Sequence, residues 1–220
     1  MVDRSFPSSP FNWIDRLTLD VRTEVLRLHT PVNPRNNRDV FSAGDKSPGL
    51  FRVLAGRVDA YVILEDGREV LFNCYFPGEC IGELPVLDGG KHVAALSLTE
   101  GARLSRLAPA DVTLLRATYS EFDTALTLSV CQTFRQLFKH YLAKLSLDPE
   151  NILLDRIKDF CTRLQKTDDT HVMIPISQDE FAYMLGVSRR TIVNILYDLE
   201  KREIIKRAYR SIYVNRALLI

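Results

Sequence analysis

The sequence predicts an α+β chain in three parts: a leading helix with an antiparallel β-roll over residues 1–110, a long helix within 111–147, and a helix pair followed by two short strands over 148–220. Three observations predict it. Short β-rich runs punctuated by Gly and Pro fill the stretch from Arg38 to Leu107. An apolar repeat at helical spacing runs from Phe122 to Leu145. Between Ile176 and Leu199 a capped helix ends at a glycine, and a second, basic helix begins at once.

Composition sets the outer bounds. With 220 residues and 46% hydrophobic content, the chain can bury one large core or two modest ones. No apolar run approaches the ~20 residues of a membrane span. Met1 to Pro10 is polar and rich in Pro and Ser, without the apolar centre of a signal peptide. A cytoplasmic protein with no membrane partner is expected. Cys74, Cys80, Cys131 and Cys161 form no CxxC pair and no Cys/His spacing typical of zinc. Reduced core thiols and no metal site are expected.

The first element is an amphipathic helix or helix pair from Phe11 to Leu28, with Trp13, Ile14, Leu17, Val21, Val25 and Leu28 facing the core and Pro31 and Pro34 stopping it. Strand-like runs follow at Val58 to Leu64 and Glu69 to Phe76, joined by the turn signal Asp66-Gly67, and again at Val93 to Leu98 and Ala102 to Leu107. Short strands of this kind close into an antiparallel roll. After Pro109 the periodicity becomes helical: Phe122, Leu126, Val130, Phe134, Leu137, Tyr141 and Leu145 recur every three or four residues, broadened by Phe138 and Leu142. A helix of ~27 residues is ~40 Å long, more than one small roll covers. The excess apolar face predicts a second copy of the same helix, hence a homodimer. Asp148-Pro149 ends that helix, and Ile152 to Leu164 forms another, leading through Lys166 to Asp169 into the C-terminal part.

The C-terminal part carries the clearest chemistry. Ser177 with Glu180 reads as a capping box, Gly186 as the left-handed stop, and Ser188 as the next N-cap. In the second helix Ile192, Ile195, Leu196 and Leu199 form one apolar face, leaving Arg189, Arg190, Val193, Asn194 and Tyr197 opposite. Ile204 to Arg207 and Ser211 to Val214 read as strands around a turn at Ala208 to Arg210. Two helices and a two-stranded wing make a winged helix-turn-helix, whose second helix enters the DNA major groove. From Gly186 onward there are eight Lys and Arg against three Asp and Glu, although the whole chain is only +1. Positive charge is concentrated where phosphates would be met. The rival reading is an ordinary surface helix pair.

With these parts in this order, the chain resembles the catabolite activator protein/FNR (Crp/Fnr) family of bacterial transcription regulators over nearly its whole length. Phe76-Pro77-Gly78-Glu79-Cys80-Ile81-Gly82-Glu83-Leu84 is similar to that family's phosphate-binding cassette, and Ile176 to Leu199 to its helix-turn-helix. The resemblance implies a cyclic-nucleotide-binding-like roll, a homodimer on an inverted repeat of double-stranded DNA, and RNA polymerase as a further partner. It places an effector pocket at Gly82, Glu83, Leu84, Val93, Ala94 and Tyr141.

The departures from the family pattern carry expectations of their own. Relatives that bind cyclic AMP follow the cassette with Arg-Ser-Ala or Arg-Thr-Ala, whereas this chain has Val93-Ala94-Ala95. Losing a buried charge-assisted partner costs about 2–5 kcal/mol, roughly 30-fold to several-thousand-fold in affinity. Lys91 and His92 are neighbours in sequence but on the loop, and Tyr141-Leu142 stands where relatives offer Thr-Ser. No response to cyclic AMP is expected. Gly82 and Glu83 would then survive as fold elements, the glycine in a tight turn and the glutamate as a satisfied hydrogen-bonding group. No cysteine precedes Cys74, so the N-terminal cluster of iron–sulfur members is missing. A haem would draw its axial ligand from Cys74, Cys80, His92 or His140; it stays an alternative to an unidentified small ligand or none, and no cofactor is predicted.

On the reading helix, Arg189 keeps the bidentate guanine role, Arg190 stands where relatives have a glutamate, and Asn194 suits adenine. Ser177, Ser188 and Thr191 are assigned to phosphates, with Lys201 and Arg210 as weaker candidates. A cupin-type β-roll enzyme would need clustered histidines, but His29, His92, His140 and His171 lie in four segments and no catalytic motif accompanies them. A DNA-independent nucleotide adaptor is disfavoured by the wing and by the missing arginine.

Overall fold

The computed structural model describes residues 9–32, 39–146, 148–164, 170–215 and 217. They divide into two compact units, Ser9–Gln136 and Leu137–Ile220. The predicted linker residues Lys166 to Asp169, and Pro34 before the roll, lie outside the described residues.

In the first unit a 3-10 turn, Trp13–Arg16, leads into helix α1, Leu19–Leu28. Trp13, Ile14, Leu17, Val21 and Val25 are buried as their spacing predicts. The helix ends before Pro31: His29 is extended, and Nδ1 of its ring lies 2.8 Å from the Val25 carbonyl oxygen. Pro31 belongs instead to strand β1, Thr30–Pro31, at a sheet edge where a missing N–H costs least.

The roll adds β2 (Asp39–Phe41), β3 (Leu50–Ala55), β4 (Val58–Ile63), β5 (Glu69–Tyr75), β6 (Cys80–Ile81), β7 (Ala95–Leu98) and β8 (Arg103–Leu107). They form two four-stranded antiparallel sheets, ordered β1-β8-β3-β6 and β2-β7-β4-β5. Phe41, Phe51, Val58, Leu96 and Leu104 fill one core cluster of the roll. Strand β3 shows no alternation in sequence because both its faces are covered: Leu50 enters the helical core and Phe51 that cluster. The predicted run from Val93 starts late. Val93 and Ala94 lie in a bend, and β7 begins at Ala95.

A short helix α2, Glu83–Asp88, follows β6, and α3, Pro109–Thr118, follows β8. Helix α4, Ser120–Ser146, has the 27 residues the apolar repeat predicts. Its first turns are fastened to the first unit, with Phe122 edge-on to Trp13 at a centroid distance of 5.3 Å. Leu126, expected on the face for a second copy, is wholly buried in this same cluster, and Val130 is half-buried. The exposed apolar stripe therefore begins farther along, with Phe134 at 66%, Leu137 at 42%, Tyr141 at 59% and Leu145 at 67% exposure.

The second unit contains the rest of α4, then α5 (Pro149–Arg163), β9 (His171–Ile174), α6 (Gln178–Leu185), α7 (Arg189–Lys201), β10 (Ile205–Ala208) and β11 (Ser211–Asn215). Asp148 caps α5, its carboxylate accepting the Asn151 N–H at 3.0 Å. The wing is a three-stranded sheet ordered β10-β11-β9, one strand more than the sequence predicts. At four residues, β9 is too short for its alternation to stand out, although Val172 and Ile174 are buried.

Candidate DNA interface and effector site

Helices α6 and α7 form the predicted helix-turn-helix, and each local device of the sequence is present. Ser177 Oγ accepts the Glu180 N–H at 3.3 Å, and Glu180 Oε2 accepts the Ser177 N–H at 2.6 Å, completing the capping box. Gly186 turns the chain at φ 71°, a conformation open to glycine at no steric cost. Ser188 Oγ accepts the Thr191 N–H at 3.1 Å and lies 2.8 Å from Thr191 Oγ1. Phe181, Ala182, Met184 and Leu185 from α6 meet Ile192, Leu196 and Leu199 from α7 in the buried core of this unit.

That packing turns the other face of α7 to solvent. Arg189, Arg190 and Asn194 are all exposed, in the positions predicted for base reading. Ser188 is exposed at the N-terminus of α7, while Ser177 and Thr191 are half-buried. Lys201 is exposed, with Nζ 4.3 Å from the centre of the Tyr197 ring. Arg210 is exposed in the two-residue turn between β10 and β11, at φ 51°, beside Tyr209, which is 91% exposed.

Two contacts here have no counterpart in the sequence reading. Arg189 Nε pairs with Asp179 Oδ1 at 2.7 Å. Arg207 Nε pairs with Glu200 Oε2 at 2.7 Å, with the guanidinium 5.7 Å from the Tyr197 ring centre. Asp179 and Arg189 sit on different helices, ten positions apart, so no helical periodicity pairs them. The only sequence signal is an acid in the first turn of α6 that the capping box leaves unused.

The predicted effector residues are less tightly grouped. Gly82 takes φ 106° at the start of α2, and a Cβ there would stand 2.9 Å from the Gly49 carbonyl oxygen. Its glycine is required by the fold. Glu83 accepts a hydrogen bond from Ser129 Oγ of α4 at 3.3 Å. Burial is the main cause that pushes its pKa up to about 7, against the hydrogen bonds that favour the charged form. Leu84 is 43% and Val93 71% exposed, Ala94 is half-buried, and Tyr141 belongs to the other compact unit.

The alternative ligand donors are engaged in packing. Cys74 and Cys80 are buried, and burial raises the Cys80 thiol pKa well above its usual value. His92 stacks on Phe41 at 3.6 Å, and burial lowers its pKa. For His140, burial and then Arg156, whose Nη1 is 3.2 Å from Nδ1, push the pKa down to about 4. Among the described residues no cluster of three or more His, Cys, Asp or Glu is arranged to hold a metal ion, and no helix is long and apolar enough to cross a membrane.

The Glu83 carboxyl makes the pH dependence of folding testable. Unfolded, it titrates near 4.5; folded, at about 7. Between these values the native state holds a proton that the unfolded chain has released. The resulting stabilisation is full below the lower pKa and is lost as pH rises through the upper one. Glu83→Gln should flatten the fall in unfolding free energy from about pH 5 to about pH 8. It should exceed the parent by about 1–3 kcal/mol at the upper end. Denaturant unfolding at both pH values reads this, and an unchanged slope would mean that Glu83 titrates normally.

Comparison with known proteins gives the same two parts. A model of the cyclic nucleotide-binding domain matches residues 32–119, and a model of the Crp-like helix-turn-helix domain matches residues 151–219. The CRP-like cAMP-activated global transcriptional regulator of Mycobacterium tuberculosis is 24% identical over 191 residues, covering 84% of each chain. The cyclic AMP receptor protein of Thermus thermophilus is 22% identical over 186 residues, covering 83% of this chain and 82% of its own. Among solved structures, FixK2 from Bradyrhizobium japonicum superposes with a TM-score of 0.76 at 18% identity, over 87% of this chain and 95% of its own. The c-di-GMP responsive global regulator CLP of Xanthomonas campestris gives a TM-score of 0.70 at 16% identity, over 90% and 99%. At these identities the superpositions speak for the fold alone. Roll, long helix and capped helix-turn-helix, matched by both domain models, make this chain a member of the Crp/Fnr family of transcription regulators, with a DNA-binding helix-turn-helix.

Proposed function

We propose that the protein acts as a homodimer that reads an inverted repeat through α7 and does not respond to cyclic AMP. The observation that carries this reading is the face of α7 on which Arg189, Arg190 and Asn194 stand exposed beside the capped N-terminus at Ser188. Arg189 offers two parallel N–H donors to guanine O6 and N7, and Asn194 pairs with adenine N6 and N7. Arg190 replaces an acceptor for cytosine with a donor, so the half-site differs from that of relatives bearing glutamate there. Ser177, Ser188, Thr191, Lys201 and Arg210 take phosphates. Selection from randomised duplexes with purified protein is expected to enrich an inverted repeat with half-sites about one helical turn apart. Arg189→Ala should then cost about 1–3 kcal/mol at one base position; a uniform loss over all sequences would remove its reading role.

The stripe of Phe134, Leu137, Tyr141 and Leu145 supports the dimer, since large apolar side chains repeated along one exposed helix face suit a matching helix. Sedimentation should give a dimer for the parent and a monomer for Leu137→Glu with Tyr141→Glu. A dimer in both would place the interface elsewhere.

Cyclic AMP is disfavoured by the residues at the cassette. Val93 and Ala94 bring no cation, and His92 is buried against Phe41 with its pKa lowered. The nearby carboxyl of Glu83 has no arginine beside it in sequence to balance a phosphate. Calorimetric titration with cyclic AMP is expected to give no binding at micromolar concentrations; binding in that range would restore the nucleotide reading. The effector, if one exists, is a different small molecule, and the protein's output is a change in transcription through RNA polymerase.

A further inference from the structure

We infer that Asp179 is a positioning residue for base recognition: its carboxylate forms an ion pair with Arg189 on the Nε side, leaving both terminal nitrogens to a guanine. The inference rests on the reading of Arg189 as the guanine-contacting residue. Asp179 is the second residue of α6 and Arg189 the first of α7, so the Gly186 turn brings the two helix starts together. Arg189 Nε and Asp179 Oδ1 are 2.7 Å apart.

The atom involved is the telling detail. A guanidinium has five N–H donors, one on Nε and four on the terminal nitrogens. Guanine takes two, through O6 and N7. A carboxylate placed against Nε leaves all four terminal donors available, and its charge favours one placement of a long, exposed side chain. Arginine paired through both terminal nitrogens would instead have to break its ion pair to read a base. Glu180, the other acid in this turn, is committed to the Ser177 cap, so Asp179 is the residue left for this role.

The same carboxylate limits generic binding. The start of α6, where Ser177 is assigned to a phosphate, draws it through the helix dipole, and the fixed negative charge of Asp179 weakens that attraction. Asp179 thus lowers affinity for any duplex while sharpening the response to one base pair. With 68% and 56% of the two side chains exposed, the ion pair adds little to folding stability.

The experiment compares the parent, Asp179→Asn, Arg189→Ala and the double variant on the selected duplex, its single base-pair variants and a random duplex at one salt concentration. Asp179→Asn should lower discrimination roughly two- to fivefold at the base pair that Arg189 reads. Discrimination elsewhere should be unchanged, and affinity for the random duplex equal or higher. In the Arg189→Ala background the same change should have no effect at that pair. A position-specific loss in Arg189→Ala with none in Asp179→Asn would overturn the proposal alone, as would equal losses in both backgrounds. If Arg189→Ala lost no single position, the reading beneath it would fail, a result obtained without any Asp179 variant. Thermal unfolding of each variant checks the fold, and Asp179→Ser provides the same comparison should the asparagine variant melt early.

Discussion

The burial of Phe122 and Leu126 against Trp13 is the constraint on which the rest of the chain depends. It fastens the first turns of α4 to the helical core of the first unit and so sets which faces of a 27-residue helix are covered. A helix this long cannot be covered by one small domain along its whole length. Beyond Val130 the same apolar periodicity emerges into solvent as the stripe from Phe134 to Leu145. One sequence pattern thus has two outcomes, anchoring in the core at one end and an exposed apolar stripe at the other.

The helix-turn-helix solves a different problem, that of ending one helix and starting another within a few residues without orphaned backbone groups. Ser177 and Glu180 satisfy the start of α6, Gly186 takes the left-handed turn, and Ser188 satisfies the start of α7. Phe181, Ala182, Met184 and Leu185 of α6 and Ile192, Leu196 and Leu199 of α7 then point inward, and Arg189, Arg190, Asn194 and Tyr197 stand exposed on α7. These local devices and the shared core set how a side chain on α6 stands relative to one on α7. Surface electrostatics at the pair therefore acquires positional meaning that a flexible loop would not give it.

The cassette-like segment combines a glycine that the backbone requires with a buried carboxyl. Gly82 is required because a side chain there would collide with the Gly49 carbonyl. Glu83 remains hydrogen-bonded to Ser129 on α4, but burial raises its pKa to about 7, so near neutrality it is only partly charged. Gly82 thus has a structural reason to be present whether or not a ligand binds, whereas the buried Glu83 carboxyl costs folding stability as it ionises.

The sequence by itself determined what depends on neighbours along the chain. Caps, the Gly186 turn, the Asp66-Gly67 hairpin and the length of α4 all rest on local hydrogen bonding and on a 3.6-residue period, so they were legible. Tertiary structure decided what depends on two-sided burial or on residues brought together across turns. Strand β3 carries no alternation because both faces are buried, β9 is too short to announce itself, and Leu126 belongs to the chain's own core although it continues the exposed stripe in register. The Asp179–Arg189 contact joins two helices whose relative placement is set by the turn and the shared core. Periodicity states that a residue faces something apolar. Which surface it faces, and which charge lies beside it, is fixed only when the elements pack.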